Sequence, residues 1–264
     1  MMTADFHALL LDLDGVLYVE DDPLPGALEA VAALRATGVT LRFVTNTTAR
    51  PRGAILDRLH RLGFDPEPSE LITPATLAVR RCAERGHERV ALVMNDAVKE
   101  DFAELRESDT DVQAIIVGDL GDAFGYGILN RAFRHLMAGA ELIALQKNRF
   151  WLTPDGLSLD VGPFVAALEY ASRTEAYVVG KPARGFFDAT LAGIPVEAAR
   201  AAMVGDDVES DVGGAQRAGL TGVLVRTGKY RDDIVRASGV HPDAVIDSIA
   251  DLPALLSERL RPVP

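Results

Sequence analysis

Short apolar runs, each ending in a turn and followed by an amphipathic stretch, recur along the chain. "ALLLDLD" (8–14) precedes "GALEAVAALRATG" (26–38), and "VTLRFVTN" (39–46) precedes "RGAILDRLHRLG" (52–63). Near the end "AAMVGDD" (201–207) precedes "DVGGAQRAG" (211–219), and "TGVLVRTG" (221–228) follows. Near-continuous apolar strands alternating with helices predict an α/β fold, its parallel sheet doubly wound with helices on both faces. In "PGALEAVAALRATG", Ala27, Leu28, Val31 and Leu34 fall at helical spacing, and Gly38 stands where a helix ends.

The interval between Asp14 and Thr45 holds one crossover helix and a strand. The interval from Asn46 to Lys181 is far too long for that. It carries its own strand-like runs ("RVALVM", "VQAIIVG", "AELIALQ") and helical ones ("GILNRAFRHLMAG", "GPFVAALEYASR"). This predicts a discontinuous core domain, 1–75 with 175–264, and an inserted α/β domain over 76–174.

Four distant segments place polar residues where an apolar run stops: "DLDG", "VTNT", "VVGKP" and "VGDDVESD". Ligands in open α/β sheets bind at the carboxyl ends of strands, so one crevice can collect all four. Asp12 and Asp14 alternate along a strand and share a face. Aspartates after strands often serve turns. Asp12, however, lies inside the apolar run, where an unpaired carboxylate is costly, and two close carboxylates raise each other's pKa unless a cation or a reaction justifies them. An N-cap explains one acid among Asp206, Asp207, Glu209 and Asp211, not four. Acids from two strand ends meeting in one crevice make a hard-cation site, and magnesium takes one or two carboxylates. Thr45 and Asn46 are turn formers that can also donate hydrogen bonds to phosphoryl oxygens. Lys181, the only cation in these segments, would neutralise the acids and the charge developing on a transferred group. Together these groups suit phosphoryl transfer, with one aspartate attacking and the other moving the proton.

Composition narrows the field. The chain has 264 residues, 48% of them hydrophobic, with a net charge of −12, one cysteine and five scattered histidines. The negative charge argues against a nucleic-acid partner, while local positive charge in a cleft still admits a small phosphorylated substrate. No apolar run approaches the roughly 18 residues of a membrane span, and the first residues lack the basic start of a signal peptide. The single cysteine fits a reducing compartment, so a cytoplasmic location without membrane contact is expected. The scattered histidines disfavour a histidine-based zinc site.

The motifs "DLDGV", "VTNT", "GKP" and "GDDVESD", in this order, resemble those of the haloacid dehalogenase superfamily of aspartate-nucleophile phosphatases. The resemblance implies a Rossmann-like core with an inserted cap domain and a Mg2+ cofactor. It implies Asp12 as nucleophile and metal ligand. Asp14 would be general acid and base, with its backbone carbonyl on the metal. Thr45, Asn46 and Lys181 would bind the phosphoryl group, with Lys181 also acting in catalysis. Asp206 would be a direct ligand supported by Asp207 and Asp211, and Gly15 would open a flap loop. An insertion after the second motif resembles subclass IIA. The stretch "TPDGLSLDVGPFVAALEYASRTEAYVVGKP" is similar to the branch that holds the phospholysine phosphohistidine inorganic pyrophosphate phosphatase. Arg184 stands where relatives more often carry a small residue or proline. The resemblance also implies a homodimer formed through the cap.

Within the inserted domain, "LQKNRFWLTPDG" is the candidate specificity loop. Lys147, Asn148 and Arg149 cluster there after an apolar run, with Asn148 taken as substrate-binding. Phe150 and Trp151 read as core rather than as a stacking platform. "GDAFGYG" lacks dinucleotide-loop spacing, and Cys82 reads as structural. The leading expectation is a Mg-dependent phosphatase acting on a phosphomonoester, pyrophosphate or phosphoramidate through an aspartyl-phosphate. A metal-free dehalogenase has no use for Asp14 or the Asp206 cluster, and intact Asp12, Asp14, Lys181 and Asp206 argue against an inactive interaction domain.

Overall fold

The computed structural model describes residues 6–153 and 156–259. In chain order the first elements are β1 (Ala8–Asp12), β2 (Tyr18–Val19), β3 (Asp22–Pro23), α1 (Ala27–Ala36), β4 (Thr40–Val44), α2 (Arg52–Arg61) and β5 (Leu71–Ile72). Then come α3 (Pro74–Arg85), β6 (Arg89–Val93), β7 (Arg106–Glu107), β8 (Ala114–Val117), α4 (Tyr126–Met137), β9 (Glu141–Ala144), β10 (Phe150–Thr153), β11 (Gly156–Leu159), α5 (Val161–Ser172) and β12 (Tyr177–Val178). The chain ends with α6 (Arg184–Leu191), β13 (Ala201–Gly205), α7 (Gly214–Arg217), β14 (Thr221–Val225), α8 (Asp232–Ser238), β15 (Ala244–Ile246) and α9 (Leu252–Arg259).

These elements form two compact units. The first holds residues up to 45, 56–72 and 181 onward, and the second holds 46–55 and 73–180. The first unit is built on a parallel sheet ordered β15-β14-β13-β1-β4-β5. β1 is buried along its whole length, as an unbroken apolar run requires of a central strand covered on both faces. Leu9, Leu10 and Leu11 are fully buried, each contributing about 1.5–3 kcal/mol of transfer free energy. β1 pairs with β4 on one side, Asp12 level with Val44, and with β13 on the other, Leu11 level with Val204. Sequence order reverses direction between β1 and β13, and that switch point opens a crevice at the strands' carboxyl ends.

α1 buries Ala27, Ala30, Val31 and Leu34. Leu28, expected on that face, is only half-buried, and Ala30 takes the place. Gly38, with φ +80°, turns the chain into β4 as expected of a residue without Cβ. Where "DVGGAQRAG" predicts one helix, a π-helical turn over 208–213 comes first and α7 is a single turn.

The second unit has its own parallel sheet, ordered β12-β9-β8-β6-β7. α4 and α5 pack on it through Ala132, Leu136, Val161, Val165 and Leu168, against Ile115, Val117 and Leu142. β12, the apolar run before Lys181, pairs with β9 here and not with the first sheet, so Lys181 does not extend a strand of that sheet. β10 and β11 form a separate antiparallel hairpin. Phe150, expected in the core, is 49% exposed, with the Arg149 guanidinium 5.4 Å from its ring centre. The Trp151 side chain lies outside the described residues. Cys82 is buried in α3, and burial pushes its thiol up to about 11. No helix among the described residues is long and apolar enough to cross a membrane.

Candidate active site

The β1/β13 switch point gathers the acids of the first unit. Asp12 closes β1 and is buried, Asp206 follows β13, and Asp211 lies in the π-helical turn beyond it, also buried. One oxygen from each lies within 4.8 Å of the others. Lys181, 2% exposed, reaches into them: its Nζ is 2.8 Å from Asp12 Oδ1 and 2.7 Å from Asp211 Oδ1. Three carboxylates against one ammonium leave an excess of negative charge in a buried place. A divalent cation would balance it.

Electrostatics registers that excess. Burial raises the Asp12 carboxyl, opposed by Lys181. Burial pushes Asp206 up to about 6, with Asp211 adding to the rise. Burial takes Asp211 up to about 7 even though Lys181 pulls it down. Desolvation would lower Lys181, but Asp12 and Asp211 more than offset it and hold the ammonium charged.

Hydrogen bonds orient the acids. Asp206 Oδ2 accepts the Lys229 backbone N–H at 2.8 Å, while its Oδ1 is buried with no hydrogen-bond partner among the described residues. A buried carboxylate oxygen without a donor suits a metal ligand. With the carboxylate donor set around it, magnesium fits the site. Asp211 Oδ2 accepts the Asp207 N–H at 3.1 Å. Asp207 itself caps the following turn, its Oδ1 accepting from the N–H groups of Glu209 and Ser210 at 3.1 and 2.9 Å. One member of the acidic run is therefore a structural cap.

Asp14 stands apart from this cluster. Its side chain is exposed, with the Tyr18 hydroxyl 3.5 Å from Oδ2. Thr45 is buried just past β4, its N–H bonded to the Ile72 carbonyl at 3.3 Å. Arg184 begins α6 at the surface, where it pairs with Asp188 at 3.3 Å.

Asn46 and Asn148 belong to the second unit. A Cβ on Gly180 would sit 2.8 Å from Asn46 Oδ1, so the glycine permits that approach. The loop of Asn148 is tied down at several points. Its N–H donates to Gln146 Oε1 at 2.6 Å, its carbonyl accepts the Gly162 N–H at 2.9 Å, and Gln146 Nε2 donates to Asp160, the cap of α5. Lys147 is engaged with Glu169 at 2.7 Å.

A fifth strand end, which the sequence reading leaves as a plain strand, completes the site. After β14, Thr227 Oγ1 donates to the Gly15 carbonyl, and Gly228 has φ +60°. Gly15 has φ +78°, and a Cβ there would overlap Asp206 and lie 2.9 Å from Gly228 Cα. Two glycines thus let the turn after β1 and the turn after β14 close on Asp206. Lys229 is exposed, its Nζ 3.8 Å from Asp207 Oδ2. The signal was "RTGK": polar residues and a glycine directly after an apolar strand, as at the other strand ends.

Two family models match the chain. One, described as haloacid dehalogenase-like hydrolase, covers residues 9–106, and the other, HAD-hydrolase-like, covers 178–252. The bovine (Bos taurus) haloacid dehalogenase-like hydrolase domain-containing protein 2 is 48% identical over 224 residues, 85% of each chain. The human phospholysine phosphohistidine inorganic pyrophosphate phosphatase is 39% identical over 259 residues, 96% of this chain and 95% of that protein. Among solved structures, a 4-nitrophenylphosphatase from Thermotoga maritima superposes with a TM-score of 0.86 at 25% identity, over 96% of this chain and 98% of that one. A p-nitrophenyl phosphatase from Archaeoglobus fulgidus also reaches 0.86 at 25% identity, over 95% and 99%. The chain belongs to the haloacid dehalogenase superfamily, among the phosphatases of its subclass IIA.

Proposed function

We propose that this phosphatase hydrolyses a small phosphorylated metabolite through an aspartyl-phosphate on Asp12, with Mg2+ as cofactor. The observation that carries the reading is the buried Asp12–Asp206–Asp211 cluster around Lys181, with Asp206 Oδ1 without a hydrogen-bond partner among the described residues. Asp12, Asp206 and the backbone carbonyl of Asp14 would hold the ion, with Asp207 and Asp211 in support. When bound it would neutralise charge on the phosphoryl oxygens.

The protein's own groups divide the work. Lys181 holds Asp12 Oδ1, which leaves Oδ2 to attack phosphorus. The bond from phosphorus to the leaving oxygen or nitrogen breaks as Asp14 gives it a proton. Asp14, now ionised, takes a proton from water while the water oxygen attacks phosphorus and releases Asp12 and inorganic phosphate. Its exposure suits exchange with bulk water. Thr45 and Asn46 would donate to phosphoryl oxygens, and Lys181 would stabilise the charge that develops there. We assign the inserted 76–174 segment as the cap, with Asn148 facing substrate on its pinned loop.

The names of the relatives set the breadth of the test. One acts on phospholysine, phosphohistidine and inorganic pyrophosphate, others on 4-nitrophenyl phosphate. Phosphate release across phosphomonoesters, pyrophosphate and phosphoramidates should peak on one member with magnesium and vanish with EDTA. Release that persists in EDTA would remove the metal from the mechanism. Self-association through the cap is part of the same reading. A sedimentation coefficient of a monomer would dispose of it.

A further inference from the structure

In the second unit, β7 and β8 lie on either side of β6, yet only residues 108–113 join them. Parallel strands usually need a crossover of about a dozen residues or more, most often a helix. β7 pairs through two residues only, so a short return suffices. A cavity of about 270 Å3 lies beside α4, lined also by residues of β6 and β7 and of the turns after them. That approaches the roughly 300–1,000 Å3 of small-molecule sites. The cavity also flanks the point where sequence order reverses, with Asp96 following β6 on one side and Leu120 following β8 on the other. Such crevices are where open α/β sheets take ligands.

The lining is divided by charge. Ala91, Val93, Leu120 and Ala132 make an apolar floor. Arg131 and His135, one turn apart on α4, stand on one side, and neither side chain has a hydrogen bond or ion pair among the described residues. The other side carries Asp96, Glu107 and Asp109 with Lys99. Lys99 Nζ is 3.0 Å from Glu107 and 3.3 Å from Asp96, which leaves that side with excess negative charge and Asp109 unpaired among the described residues. A simple anion would meet the acids and a simple cation would meet Arg131. We propose that this cavity binds a small zwitterion with an apolar body, of the amino-acid class: carboxylate on Arg131 and His135, ammonium on Asp109 and Glu107, side chain over the floor. None of the lining residues belongs to the Asp12–Asp206–Asp211 cluster, so the proposal is independent of the phosphatase mechanism.

The test is calorimetric titration of the full-length protein at pH 7 with leucine, isoleucine, valine and methionine. The amino acid that binds best is then compared with its deaminated acid and its decarboxylated amine. At least one amino acid should bind saturably at millimolar concentration, and each truncated analogue about tenfold or more weaker, the scale of one lost charged hydrogen bond. Arg131→Met should lose binding by a similar factor with an unchanged melting midpoint. Should that variant fail to fold, Asp109→Asn carries the same expectation. Absence of binding by all four amino acids, equal binding of the deaminated acid or the amine, or undiminished binding in a folded variant would each overturn the proposal.

Discussion

At the residue scale, Asp12 and Asp14 differ in environment although a strand would set them on one face. Asp12 is buried against Lys181, whereas Asp14 is exposed. Asp12→Asn should abolish phosphate release and leave the melting midpoint near that of the parent. Asp14→Asn should slow both formation and breakdown of the phosphorylated intermediate, because one group serves both steps, and normal single-turnover kinetics would contradict its role. Gly228→Ala makes a sharper test of the turn after β14, since its Cβ would overlap Asp206 Oδ2 and lie 2.6 Å from Gly15 Cα at a φ of +60°. Displacing Asp206 by even about 1 Å should cost roughly 100-fold in turnover. Calorimetric magnesium affinity should weaken with it; unaltered affinity would mean that the two glycines do not position this carboxylate. That Asp12, Lys181 and Asp206 stand out was legible because charge at the end of an apolar run is anomalous, and the structure brings Lys181 onto Asp12 and clusters Asp12 with Asp206. Asp207 was not separable from its neighbours, since capping depends on which N–H groups the next turn leaves unpaired.

At the element scale, the loop after β9 shows how tertiary packing reassigns residues. Lys147, Asn148 and Arg149 form a polar cluster in sequence, but Lys147 pairs with Glu169 on α5, and Arg149 lies over Phe150. The loop is seated on the start of α5, where Gly162 has no room for a side chain: a Cβ would overlap the Asn148 carbonyl and lie 2.6 Å from that of Lys147. Gly162→Ala should therefore destabilise the second unit by about 1–3 kcal/mol. Thermal unfolding measures this directly, and an unchanged midpoint would show that the loop is not seated as described. The same scale explains Phe150. An apolar residue in an alternating pattern is expected inside, but β10 and β11 pair only with each other, and Phe150 and Leu159, opposite in register, stay exposed together.

At the scale of the whole molecule, the acid cluster couples stability to pH. Asp206 and Asp211 titrate near 6 and 7 in the folded chain, against an ordinary value of 3.8. Between those values the folded state binds more protons than the unfolded state, so metal-free stability falls as pH rises from about 4 to about 7. Magnesium bound as proposed would replace those protons, and its stabilisation should grow over the same interval. Melting midpoints in EDTA and in magnesium should diverge from about pH 4 to about pH 7. A constant gap would mean that the cluster does not hold the ion.

By itself the sequence determined the alternation of strands and helices and the acids that crowd together. Each is written in local patterns of apolar and charged residues. Only the tertiary structure decided that β12 joins the second sheet while Lys181 returns to the first unit, because strand partners are chosen by long-range pairing. It also decided that Gly15 and Gly228 meet on Asp206, a contact between turns more than 200 positions apart. The cavity beside α4 belongs to the same class. Its lining comes from β6, β7 and α4 and from the residues that follow β6, β7 and β8, which meet only once the strands have been ordered in space.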